Sequence, residues 1–200
     1  RRVLFRSFDP ALVDDVIFGC VDTVGPQAGD IARTCWLAGG LPLHVPGTTV
    51  DRQCGSSQQA VHFAAQAVMS GTAEAVVAGG VQNMNLVPIS YAMIAGKELG
   101  FDDPFRGSKG WMGRFGNVEV SQFNSANMIA QKWDITREEM EKFALGSHEK
   151  ALKSISEGKF KHEIVPFNDF NTDETPRQGT SLQKMAELVP LIEGHTITAA

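Results

Sequence analysis

The stretch TTVDRQCGSSQQAVHFAAQAVMSG, residues 48–71, joins a short β-branched run to a long segment rich in Ala and Gln. Residues 48–50 predict a β-strand, because β-branched side chains fit a pleated sheet. Residues 56–70 predict a helix, and Gly71 is suited to the left-handed conformation that ends many helices. Cys54 is therefore predicted at the corner between a strand and a helix.

Further strands and helices flank this corner. An apolar run predicts a strand over residues 16–21. Apolar residues at helical spacing predict a helix that begins after Asp30, its expected cap, and ends at a Gly-Gly pair before Pro42. The run EAVVAGG, residues 74–80, predicts a third strand. Strands that alternate with helices in this order predict an α/β fold, with a mostly parallel sheet covered by helices.

Beyond the third strand the composition changes. Residues 100–116, GFDDPFRGSKGWMGRFG, show no strong period and predict a long ordered loop. Helices are predicted over residues 119–132 and 137–157. The run HEIVPF, residues 162–167, predicts a short strand, and residues 173–194 predict a loop followed by a brief helix. This part of the chain is therefore expected to be rich in helix.

The longer of these helices carries two further signals. Thr136 and Glu139 have the spacing of a capping box, in which each side chain bonds the backbone N–H of the other residue. Apolar residues also recur at helical spacing and form a stripe along the helix. The stripe consists of Met140, Phe143, Ala144, Ala151 and Ile155.

Composition excludes several classes of protein. The chain has a formal net charge of -5, and its charges are interspersed, so no nucleic-acid partner is expected. No apolar run approaches the roughly 20 residues needed to cross a bilayer, so no membrane partner is expected and the protein is predicted to be cytoplasmic. The three cysteines lack zinc-site spacing, so neither a metal nor a disulfide is predicted. Residues 1–7 are interpreted as a non-native remnant.

Cys54 is predicted to be a nucleophile. A cysteine just ahead of a helix meets unpaired backbone N–H groups and the positive end of the helix dipole, which favour the thiolate and suit an oxyanion. The hydroxyls of Ser56 and Ser57 are expected to cap the first helical turn. The alternative for a cysteine is a small buried apolar residue, and this interpretation is kept for Cys20 and Cys35. No histidine has a sequence setting that recommends it as the base.

The corner and its surroundings resemble the thiolase family. The resemblance is carried by residues 50–90, VDRQCGSSQQAVHFAAQAVMSGTAEAVVAGGVQNMNLVPIS, by GDIARTCWLAGGLP, by GSKGWMG and by two later segments. The later segments are KWDITREEMEKFALGSHEKALKSISEGKFKHEIVPF and DETPRQGTSLQKMAELVPLIEGHTITA. The resemblance implies a partial thiolase-type layered fold with an α-rich loop domain. The implied parts are an incomplete N-terminal core (residues 8–90), the loop domain (91–196) and the start of a return to the core (197–200).

Resemblance to thiolases also implies a function. The chain would belong to an acyl-CoA C-acyltransferase of fatty acid metabolism, which cleaves 3-oxoacyl-CoA or condenses acetyl-CoA through Cys54. Met112 matches a methionine that lines the pantetheine and acyl channel, and Arg177 matches an arginine near the adenine of coenzyme A. Coenzyme A and acyl-CoA would be substrates, with no permanently bound cofactor. VPGTTVDRQ matches a strand that pairs across the dimer, so a homodimer or homotetramer is implied for the full-length protein.

The sequence departs from the family in ways that leave alternatives open. The Gly-His-Pro, Cys-x-Gly and Asn-Glu-Ala-Phe motifs do not occur here, so the chain is expected to be an inactive fragment that lacks the catalytic C-terminal half. Trp111 stands where several biosynthetic members have a histidine. One alternative is a non-catalytic thiolase-like domain for assembly or lipid binding. The other is a papain-like cysteine peptidase, which also has Cys-Gly-Ser at a helix start but expects a cysteine where this chain has Ser57.

Overall fold

The computed structural model describes residues 8–200, so the interpretation of residues 1–7 lies outside the described residues. The chain divides into two compact units, one ending at Asn117 and one running from Val118 to Ala200. This division concerns compactness alone, and the domain boundaries expected after residues 90 and 196 stay a prediction. Within the described residues, no helix has the length and apolarity required to cross a membrane.

The first unit contains a parallel three-stranded sheet with the order β2-β1-β3. The strands are β1 (Asp15–Gly19), β2 (Gly47–Val50) and β3 (Val76–Gly80). Each lies within a few residues of the predicted strand, because apolar and β-branched runs were the signal in all three cases. The α/β prediction is therefore confirmed.

Two helices pack on this sheet, α1 (Ile31–Ala38) against β1 and β2, and α2 (Ser56–Met69) against β1 and β3. The core beside α1 contains Val13, Val16, Ala32, Trp36 and Val45. Val16 and Gly19 are three residues apart on β1 and so face opposite sides of the sheet, and Gly19 faces α2. The two helices therefore cover opposite faces.

Asp30 occupies the N-cap position of α1, as predicted, but it does not cap the helix. Its φ is +57°, and its side chain makes no hydrogen bond to the first turn. The carboxylate instead accepts a hydrogen bond of 2.6 Å from the hydroxyl of Thr49 on β2. Asp30 thus fastens the start of the helix to the sheet.

The predicted loop over residues 100–116 is wrong in part, because it contains a helix. After the short α3 (Tyr91–Ile94), the helix α4 spans Lys109–Phe115, and the hydroxyl of Ser108 accepts a hydrogen bond from the Trp111 N–H at its start. The ring of Trp111 contacts those of Phe105 and Phe115, with centroids 4.7 and 4.6 Å away. A side-chain cap and aromatic contacts thus stabilise this helix. Its glycines interrupt the apolar spacing by which a helix is predicted from sequence.

The second unit is helical, with α5 (Gln122–Lys132), α6 (Arg137–Ser156) and α7 (Leu182–Ala186). The capping box of Thr136 and Glu139 at the start of α6 is confirmed. The predicted strand over residues 162–167 is wrong: the segment begins in a turn, and only Phe167 forms a bridge, to Phe170. An extended segment without a partner strand cannot satisfy its backbone groups in a sheet.

Candidate active site

Cys54 lies at the carboxyl edge of the parallel sheet, between the end of β2 and the start of α2. Gly55 is the N-cap residue of α2, so the cysteine immediately precedes the cap. The side chain of Cys54 is exposed and carries a free thiol. The corner predicted from the sequence is therefore present, although the catalytic role of Cys54 stays a prediction.

A tight turn presents this cysteine. The N–H of Gly55 donates to Arg52 O at 3.0 Å. The carboxylate of Asp51 accepts a hydrogen bond of 2.8 Å from the Gln53 N–H. Gln53 has φ = +47°, a left-handed conformation that costs a non-glycine residue about 1–2 kcal/mol. The turn therefore stores strain directly before the thiol.

The start of α2 packs directly on the sheet, because β1 and β3 both end in glycine. A Cβ on Gly19 would overlap the backbone nitrogen of Ser57, and a Cβ on Gly80 would overlap the Ser57 hydroxyl. These glycines let the start of α2 touch the sheet. After the Ser56 N–H, which donates to Gln53 O at 3.0 Å, the next helical N–H that bonds a backbone acceptor is that of Gln59, which donates to Gly55 O at 2.9 Å. The N–H of Gln58 has no acceptor within residues 8–200, so it is open to an anionic oxygen.

The other two cysteines have different surroundings. Cys20 is 2% exposed, and its Sγ donates to Val21 O at 3.2 Å. Burial raises the pKa of the Cys20 thiol, and the Asp22 charge raises it further. Burial also raises the pKa of the half-buried Cys35 thiol. Both remain neutral thiols near pH 7, so Cys54 is the accessible candidate of the three.

The two predicted coenzyme A residues lie in different units. Met112 is half-buried on α4 of the first unit. Arg177 is exposed in the second unit, where its backbone N–H donates to His148 Nδ1 at 3.2 Å. Arg177 and Lys184 line a cavity of about 250 Å³ there, which suits an anionic or polar group. The coenzyme A roles of Met112 and Arg177 stay predictions.

Neither histidine of the first unit is placed to serve Cys54. His62 lies eight residues further along the chain, on α2, which is about 12 Å by helical rise. His44 precedes β2, at the amino edge of the sheet, where its Nε2 lies 3.1 Å from Ala11 O. The first unit thus offers a thiol without a nearby imidazole.

The sequence analysis missed a buried carboxylate at the same edge of the sheet. Asp22 is 2% exposed, and it accepts hydrogen bonds of 2.9 Å from the N–H groups of Ser90 and Ala92 and of 3.3 Å from Gln82 Nε2. It fastens the segment after β3 beside the end of β1. An acidic residue directly after an apolar strand was the available signal, but its partners lie 60 to 70 residues away in sequence.

The family model described as "Thiolase, N-terminal domain" matches residues 5–200. The chain belongs to the thiolase family. This result argues against the papain-like alternative, and the three-stranded parallel sheet with its helices is the part of the thiolase fold that carries Cys54.

Individual thiolases agree with this assignment. The chain is 57% identical over 205 residues to the steroid 3-ketoacyl-CoA thiolase FadA6 of Mycobacterium tuberculosis, covering 100% of this chain and 50% of that protein. It is 36% identical to an acetyl-CoA acetyltransferase of Pseudomonas aeruginosa, covering 95% and 51%. It is 35% identical to a 3-ketoacyl-CoA thiolase of Aliivibrio fischeri, covering 96% and 50%. The chain spans about half the length of the curated relatives it matches.

Proposed function

We propose that this chain is the nucleophile-bearing half of an acyl-CoA C-acyltransferase and that Cys54 accepts the acyl group. The observation that carries the proposal is an exposed thiol on a strained turn at the start of α2. In the degradative direction, Sγ attacks the 3-oxo carbon of a 3-oxoacyl-CoA. The bond between C2 and C3 then breaks, C2 gains a proton, and acetyl-CoA leaves. The thiol of coenzyme A next attacks the acyl-cysteine, releasing a shortened acyl-CoA and the free Cys54 thiol.

The degradative direction is the better supported one. Its support is the 57% identity to a protein named as a steroid 3-ketoacyl-CoA thiolase, together with Trp111 at the position where several biosynthetic members carry histidine. We extend the proposal to bulky, steroid-derived 3-oxoacyl groups as the substrate class. For the whole protein we propose a location in the cytoplasm and a homodimer or homotetramer. The oligomer is supported by β2, which is an edge strand of the described sheet and so has a free side on which to pair.

The 200-residue chain by itself is proposed to turn over slowly or not at all. Its first unit brings no histidine to Cys54, and general acid–base catalysis typically contributes about 10²–10⁴-fold in rate. Attack on a thioester by an exposed thiol needs less help, so Cys54 is proposed to be acylated slowly without the base. The chain is therefore expected to undergo acylation at Cys54 without catalytic turnover.

The test measures both steps on the purified chain. We expect no turnover of acetoacetyl-CoA and free coenzyme A, but slow acylation by an acyl-CoA at one site, located by peptide mass spectrometry. Cys54→Ser should abolish the acylation, whereas the matched Cys35→Ser should keep it. Turnover at the rate of a complete enzyme would show that a base lies within the chain. Acylation of Cys20 or Cys35, or none at all, would favour the non-catalytic alternative.

A further inference from the structure

The geometry points to Ser56 as a positioning residue of the nucleophile, an inference that rests on the proposed role of Cys54. The Ser56 side chain was expected to cap α2, but the N-cap of this helix makes no side-chain hydrogen bond. The hydroxyl faces the turn instead. It accepts a hydrogen bond of 2.9 Å from the Arg52 N–H and donates one of 2.5 Å to Gln53 O.

These two bonds close a ring around the cysteine. Arg52 and Gln53 precede Cys54 and Ser56 follows it, so the hydroxyl links the two sides of the turn. The Ser56 N–H donates to the same Gln53 carbonyl at 3.0 Å, so this oxygen is held from two directions. Cys54 is thus fixed through its neighbours, and Ser56 needs no contact with the substrate.

The strain at Gln53 explains why the turn needs this link. A left-handed non-glycine residue relaxes toward a commoner conformation unless its surroundings hold it. Ser56 is 4% exposed, so water has little access to replace its hydroxyl. Removing the hydroxyl therefore frees Gln53 to rotate, and Cys54 shifts with it. Misplacing a reacting group by about 1 Å can cost about 10²-fold in rate.

The serine at the other end of this helix provides a matched control. Ser70, the C-cap residue directly after α2, also donates its hydroxyl to a backbone carbonyl, Ala67 O, at 3.0 Å. Ser70→Ala and Ser56→Ala thus remove the same group and the same kind of bond from one helix. Of the two substitutions, only Ser56→Ala alters the turn that carries the Cys54 thiol.

The experiment uses Ser56→Ala, Ser70→Ala and the unchanged chain, each with two measurements. The first is hydrogen exchange of the backbone amides, which does not depend on acyl transfer. In Ser56→Ala we expect the amides of residues 52–55 to exchange about tenfold faster, with the α2 amides from Gln59 onward unchanged. In Ser70→Ala the amides of residues 52–55 should exchange as in the unchanged chain.

The second measurement is the rate of Cys54 acylation across a range of acyl-CoA concentrations. A positioning residue that touches no substrate should lower the maximal rate, here about tenfold, and leave the half-saturating concentration unchanged. A merely structural loss would reduce the amount of reactive protein without changing this rate constant. Unchanged exchange in residues 52–55, or an unchanged maximal rate, would overturn the inference. If the unchanged chain takes no acyl group, the proposed function fails, and the exchange measurement alone still decides whether the Ser56 hydroxyl holds the turn.

Discussion

The corner at Cys54 and the helices of the second unit are stabilised in different ways. At the corner, backbone meets backbone, because α2 touches the glycine-ended strands without room for a methyl group at Gly19. In the second unit, side chains make the connections, and a Cβ added to Gly146 on α6 would meet nothing within 4 Å. The stability of the corner therefore depends on the small size of its residues, whereas the stability of α6 depends on polar side-chain contacts.

The largest expected effect comes from replacing one glycine by alanine in each region, Gly19 at the corner and Gly146 on α6. Gly19→Ala should lower the free energy of unfolding by about 3 kcal/mol, because the clashing atoms are backbone atoms of Ser56 and Ser57, which cannot rotate away. Gly146→Ala should raise it by about 0.5–1 kcal/mol, because alanine favours a helix interior. Urea denaturation of the purified chains measures both values.

Gly79→Ala is the control within the same sheet. The nearest atom to its added Cβ is Phe18 Cε1 at 3.4 Å, which is ordinary contact, so we expect a change below about 1 kcal/mol. If Gly79→Ala and Gly19→Ala proved equally destabilising, the close approach of α2 would not be the cause.

A smaller effect is expected from the polar contacts of the second unit. Arg137 bonds Glu141 at 2.6 Å and donates to Met185 O and Leu188 O, so it fastens α6 to the end of α7. Arg137→Ala should cost about 2 kcal/mol, because it leaves the Glu141 carboxylate, 7% exposed, without its partner. Hydrogen exchange should show the loss in α6 and α7.

Lys142→Ala is the matched control, since it breaks an exposed ion pair with Glu138 at the same i,i+4 spacing. Solvent screens exposed pairs, so its exchange pattern should stay close to that of the unchanged chain. Equal effects of the two substitutions would mean that burial of the Arg137 pair contributes nothing.

The first unit could be predicted well because its signals are local. Apolar runs gave the three strands, and the Cys-Gly-Ser step beside an Ala-rich segment gave the corner with its exposed thiol. The direction of the Ser56 hydroxyl could not be predicted, because it depends on the left-handed conformation of Gln53. The Asp22 contacts were also beyond reach, since they join distant parts of the chain.

Segments that lack a period were predicted less well. Helix α4 was missed because its stability comes from the Ser108 cap and from ring contacts of Trp111 rather than from an apolar stripe. Even the clear stripe on α6 was an imperfect guide, since Phe143 is 82% exposed in the second unit. The strand predicted over residues 162–167 had suitable residues but no partner, and pairing depends on distant segments.

The smallest expected effect is a pH dependence at the start of α6 that the hydroxyl of Ser56 should not share. Hydrogen bonds from the Thr136 backbone and hydroxyl hold the pKa of Glu139 below its usual value. A carboxylate with a lowered folded-state pKa adds stability above its unfolded pKa of about 4.3, and this contribution is lost as the pH falls through the folded value. The difference in α6 hydrogen exchange between Glu139→Ala and the unchanged chain should therefore shrink between pH 6 and pH 3, after correction for intrinsic exchange. The hydroxyl that Ser56→Ala removes carries no charge at either pH, so the loss of its two hydrogen bonds should not itself depend on pH. A parallel pH trend at both places would mean that the two regions do not differ in the way their geometry indicates.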